Sequence, residues 1–103
     1  MNAPDPQEVP ASPASPGALV RSVAEGVARR SAGEKGAVGA LRSVVHMVDN
    51  DEAELAVDDL VRVIAHFRLG VRRAEYDDIV AAASRLDALD SLAEVGVERF
   101  VVD

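Results

Sequence analysis

From Gly17 to Leu89 the apolar residues return every three or four positions, a rhythm that suits helices turning once in about 3.6 residues. No proline interrupts it. All five prolines lie in the first 16 residues, at Pro4, Pro6, Pro10, Pro13 and Pro16. That leading stretch lacks hydrophobic periodicity, and proline denies it a hydrogen-bond ladder. Residues 1–16 therefore read as a disordered Pro/Ala-rich tail, ahead of a single helical domain over 17–103. The expected fold is all-α: a small antiparallel three- to four-helix bundle with an extended C-terminal arm.

Four segments carry the pattern. Leu19, Val20, Val23 and Val27 form a weak stripe over 17–30, with Gly26 costing about 1 kcal/mol relative to alanine, and 31–36 reads as a loop. Val38, Leu41, Val44, Val45 and Val48 share a face over 37–48, which Asp49-Asn50-Asp51 ends. The third helix is expected over 52–68, with Ala53, Val57, Leu60, Ile64 and Phe67 on one side. Asp51 and Glu54 have capping-box spacing at its start, and Gly70 suits a left-handed C-terminal residue. After a connector at 71–73, the fourth helix, 74–89, points Tyr76, Ile79, Ala83 and Leu86 inward, so helices three and four should pair as an antiparallel hairpin. The β-branched end, 95–102, reads as an arm laid on the bundle.

Composition narrows the chemistry. The absence of cysteine excludes disulfides, thiolate metal sites and thiol catalysis. The longest purely apolar run, Ile79 to Ala83, is far shorter than the roughly 20 residues that span a bilayer. With no basic-then-apolar leader, a cytoplasmic location and no membrane partner are expected. Aromatics are only 3% of the residues, so the core must come from small aliphatic side chains, each burying little area. Of the net charge of −7, residues 1–48 hold five basic against four acidic groups, and residues 49–103 hold six against fourteen. An acidic C-terminal half repels nucleic acid and attracts a basic partner.

Familiar catalytic and ligand motifs fail on inspection. The acids from Asp49 onward open like a calcium loop, but Ala53, Glu54 and Leu60 stand where a ligand, a glycine and a bidentate glutamate are needed. Gly33-Glu34-Lys35-Gly36-Ala37-Val38-Gly39 lacks the lysine and hydroxyl that follow the second glycine of a phosphate loop. His46 and His66 have no metal-binding spacing and no third group. No serine stands in a nucleophile elbow. A DNA-reading helix is disfavoured by Glu75, Asp77 and Asp78 opening the fourth helix. The expectation is a protein that is not an enzyme and uses no metal or cofactor.

What remains is a concentration of charge. Asp49, Asp51, Glu52, Glu54, Asp58 and Asp59 place six carboxylates within eleven positions. Acids in a first helical turn each gain about 0.3–1 kcal/mol from the macrodipole. Yet Glu54 and Asp58 repel at i,i+4, and Asp59 lies too far in to gain. Leu55 is expected to point outward among them, the composition of a binding patch. Asp51, Glu52, Glu54, Leu55, Asp58 and Asp59 are the candidate partner-binding residues, with Asp77 and Asp78 extending the patch.

The stretch from Leu41 through Asp49-Asn50-Asp51-Glu52 to Leu60, continued from Val71 to Ile79, resembles the MafI-type immunity proteins of bacterial polymorphic toxin systems. Glu52, Ala56, Asp58, Leu60, Val71 and Glu75 carry the likeness, which covers about residues 38–90. The resemblance implies an all-helical cytoplasmic protein that binds and neutralises a cognate toxin domain, often a nuclease. The other reading of the residues is a small self-associating helical adaptor, a homodimer with Leu55 and the valine-rich C-terminus at its seam.

Overall fold

A computed structural model describes residues 15–102; the expected tail, apart from its last two residues, lies outside them. Among the described residues there are five α-helices and one 3₁₀ turn: α1 Pro16–Arg30, α2 Lys35–Asp49, α3 Ala53–Phe67, α4 Arg73–Arg85, α5 Leu89–Val95 and the turn Val97–Phe100. The all-helical class agrees with the hydrophobic rhythm. Pro16 sits at the first helical position, where its missing N–H costs nothing, and the Ser15 hydroxyl accepts from the Ala18 N–H at 3.1 Å.

Each helix buries the stripe its sequence marks. Val20, Val23 and Val27 of α1, Leu41 and Val44 of α2, Val57, Leu60 and Ile64 of α3 and Ile79 of α4 are all at most 1% exposed. The largest of the fully buried side chains, Leu41, Leu60, Ile64 and Ile79, come one or two to a helix, and the rest of that group is valine. No polar or charged residue is buried among the described residues, so their charged side chains all reach the surface. α3 also buries Ala56, Val61 and Val63. That wide apolar arc makes it the central helix, packed against α1, α2 and α5.

Three expectations are corrected. The segment expected as an extended arm is largely helical: α5 ends at left-handed Gly96 (φ 70°), and the chain then makes the 3₁₀ turn. Only its tip is extended, where Val71 pairs in parallel with Val101, the Val71 N–H donating to the Phe100 carbonyl at 2.9 Å and the Val102 N–H to the Val71 carbonyl at 2.8 Å. Secondly, α4 lies chiefly on α1 and only sparsely on α3, because α5 lies against both α3 and α4. Thirdly, α3 is closed by Arg68 in the left-handed region (φ 54°), two residues before Gly70. Leu69 must turn inward to be buried (5% exposed), so the reversal comes before the glycine.

Candidate functional site

The acidic turn is built by the end of α2. Asn50 closes that helix by donating to the His46 and Met47 carbonyls, and Asp51 then takes a left-handed conformation (φ 64°) with its N–H on Val48. Aspartate tolerates that region better than most residues. The Glu52 N–H returns to Met47 at 2.8 Å, and the Glu52 carbonyl accepts the first α3 bond from Ala56. Glu52, not Asp51, therefore holds the N-cap position, and no side chain caps it. The capping box expected from Asp51 and Glu54 is absent because Asp51 is spent on the turn.

This arrangement leaves carboxylates facing water. Asp51, Glu52 and Glu54 are exposed and form no ion pair among the described residues. Asp49 pairs with Arg21 across to α1. Leu55, one residue beyond Glu54, is 58% exposed. A leucine standing in water beside three unpaired acids is the site's defining feature.

Asp58 has a different job. The Ser91 hydroxyl donates to its Oδ1 at 2.7 Å, and Arg62 Nε lies 3.2 Å from its Oδ2. These contacts lay the first turn of α5 beside the Leu55–Asp58 turn of α3. Asp59 is half-buried; burial pushes its carboxyl above the ordinary value, Asp58 adds to that and Arg62 opposes it. Asp77 and Asp78 stand apart. They lie in the first turns of α4, at the opposite end of the bundle from the acidic turn. Asp78 is likewise raised by burial and then by Asp77 and Glu75. The charges acting on Asp59 and on Asp78 share no member, so these are two acid clusters. The structure brings together Asp51, Glu52, Glu54 and Leu55, with Asp58 and Asp59 one turn on, and keeps Asp77 and Asp78 elsewhere.

The surface also has a member the sequence analysis missed. Leu89, at the start of α5, is 47% exposed and lines a shallow hollow of about 370 Å³ with Tyr76, Val80 and Leu92. Leu89, Leu92 and Val95 at three-residue spacing, followed by Gly96, are the signal that could have revealed it. Of the C-terminal valines, Val97 is buried and Val95 and Val101 half-buried; only Val102 (56%) is exposed. Both histidines are exposed, and His66 rests edge-on against Phe67 at 4.7 Å. Among the described residues no group of three or more His, Asp or Glu is placed to hold a metal, and no helix is long and apolar enough to cross a membrane. No family model, curated protein or solved structure matches the chain.

Proposed function

We propose that this chain is an immunity-type inhibitor that binds a cognate bacterial toxin domain and blocks it by occupying a basic surface. The observation that carries the reading is the exposed Leu55 set among Asp51, Glu52 and Glu54, none of which is neutralised by a described neighbour. Carboxylates speed encounter with a cationic surface, and a central apolar residue supplies the short-range contact. Where the toxin is a nuclease, its substrate cleft is basic and the carboxylates take phosphate positions. Such inhibition requires no bond to be made or broken.

The test is a titration of the purified chain into the C-terminal domain of the protein encoded by the neighbouring open reading frame. A 1:1 complex whose association slows as salt rises supports the reading. Glu52→Lys with Glu54→Lys should slow association at least about tenfold and flatten that salt dependence while leaving helicity intact. Binding of the double variant at the wild-type rate removes this surface from the mechanism. The second reading, a self-associating adaptor with an apolar seam, rests on exposed Leu55, Leu89 and Val102, but Val97 and Val101 are already engaged within the fold.

A further inference from the structure

The antiparallel helices sort the charges of this chain to its two ends. At one end α1 and α3 finish while α2 and α4 begin: Arg30 Nη2 donates to the Gly70 carbonyl at 3.2 Å, and a methyl on Gly36 would meet the Phe67 ring at 3.2 Å. Arg29, Arg30, Lys35, Arg68, Arg72 and Arg73 gather there against Glu34, Glu75, Asp77 and Asp78, the last three all on α4. Arg99 and Glu98 of the C-terminal turn offset one another, so among the described residues this end keeps a small positive excess, carried by Arg29, Lys35 and Arg68 on the α1, α2 and α3 side. At the other end a methyl on Gly17 would touch Val48 at 3.2 Å and Ala53 at 3.8 Å. Asp49, Asp51, Glu52, Glu54 and Asp87 collect there against Arg21 and Arg85. The basic cluster was hidden in the sequence because its members come from two separate connections, α1 to α2 and α3 to α4.

Helix electrostatics account for half of this cluster. Arg29, Arg30 and Arg68 stand at helix C-termini, which favour cations. Lys35, Arg72 and Arg73 stand at the first positions of α2 and α4, where the same dipole disfavours them. The chain therefore gives up local helix stability to keep positive charge at this end. A 15-residue helix is about 22 Å long, against a Debye length of about 8 Å at physiological salt. Each end thus presents its own field, and the net charge of −7 does not cancel the basic one.

We propose that the basic end of one copy docks on the acidic turn of a second copy, head to tail. The unpaired Asp51, Glu52 and Glu54 supply the complement that the Arg29, Lys35 and Arg68 side chains require. Nucleic acid is the poorer occupant, since a long phosphate backbone would also run along the acidic flanks. The contact is heterologous, so copies add in a row and do not close as a two-fold dimer. It shares the acidic turn with the toxin-binding reading, and self-association and toxin capture then compete. It stands without that reading, because its test uses this chain alone.

Sedimentation of the full chain at about 100 µM is the measurement, in about 20 mM and about 500 mM salt. The expected result is an average mass above the monomer at low salt that returns to the monomer at high salt. Lys35→Glu with Arg68→Glu, and separately Glu52→Lys with Glu54→Lys, should each be monomeric at low salt with wild-type circular dichroism. Mixed one to one, the two variants should associate again, which damage to folding would not produce. If a reversed pair unfolds, the corresponding glutamine pair is used, with the same loss expected. A wild-type chain that stays monomeric at low salt, an association indifferent to salt, or a mixture that remains monomeric overturns the proposal. So does a monomeric wild type that instead binds a labelled 20-mer oligonucleotide, which would assign the basic end to phosphate.

Discussion

Arg30 at the end of α1 grips the Glu75 carboxylate of α4 with both terminal nitrogens, Nη1 to Oε2 at 2.8 Å and Nη2 to Oε1 at 2.5 Å. The same carboxylate accepts the Arg72 N–H at 3.0 Å, closing the first turn of α4 from within. Arg72 has no acceptor on its side chain to return the bond. One glutamate thus caps its own helix and ties it to α1, its main packing partner.

That double use sets an acid limb. Burial alone would raise the Glu75 carboxyl, but the Arg30 hydrogen bonds, the Arg72 N–H and the charges of both guanidiniums outweigh it and hold it below the ordinary glutamate value. A carboxyl depressed in the fold contributes stability that is present above its unfolded value and lost as pH falls through its folded one. Urea unfolding of the wild type should weaken on acidification below the ordinary carboxylate range. Glu75→Gln should lose about 1–2 kcal/mol at neutral pH and show a flatter acid limb. An unchanged acid limb in the variant would remove Glu75 from the account.

Asp59 and Asp78 carry the opposite sign. Both are raised, chiefly by burial and then by neighbouring acids, so their ionised forms strain the fold at neutral pH and acidification relieves them. Asp78→Asn should raise the thermal midpoint slightly at pH 7, within about 0.5 kcal/mol, and lose that advantage at low pH. Paired melts at the two pH values read the difference directly.

Gly26 is coupled to the same clamp. A methyl there would stand 2.7 Å from Glu75 Oε2, an atom that Arg30 does not let move aside. Gly26→Ala should therefore destabilise the wild type, although alanine is the better helix former by about 1 kcal/mol. In a Glu75→Ala background the obstacle is gone, and the same substitution should become stabilising. A double-mutant cycle measured by chemical unfolding gives the sign; equal effects in both backgrounds would refute the coupling.

The helices were legible because buried valines and leucines at three- and four-residue spacing reported one face each. Their ends were not. Asp51 and Arg68 both adopt left-handed backbone (φ 64° and 54°) where the nearest standard signals were an N-cap aspartate and a glycine two residues on. Burial of Leu69 and the turn joining α2 to α3 decided those positions, and both are tertiary demands. α5 was missed because it is seven residues long, too short for periodicity to stand out. The acidic surface was legible as composition, whereas Asp77 and Asp78 lie apart from it because α4 begins at the end of the bundle where α3 finishes.

Arg68 offers a direct check on that reasoning. An L-residue held left-handed costs about 1–2 kcal/mol, a cost glycine avoids while losing more chain entropy. Arg68→Gly should therefore stabilise the fold by about 0.5–1 kcal/mol in urea unfolding. Gly70→Ala, at a position without positive φ but 3.1 Å from Val102, should give no such gain. A destabilised Arg68→Gly chain would mean that the arginine side chain does more than close the helix.

Leu55 and Leu60 lie on the same helix and separate recognition from folding. Leu60 is fully buried and Leu55 is 58% exposed. Leu60→Ala should cost about 2–5 kcal/mol through lost transfer energy and the cavity left behind, and it should weaken every activity in proportion to unfolding. Leu55→Ser removes a side chain that the fold barely uses, so the melting curve should not move. If the acidic turn is a docking surface, the same change weakens the neighbour-encoded complex by about tenfold or more, as loss of a central apolar anchor does, and acts mainly on the dissociation rate. Calorimetry beside a binding titration separates the two substitutions. A Leu55→Ser chain that melts and binds like the wild type would leave the leucine without a role in recognition and reduce the site to its charges.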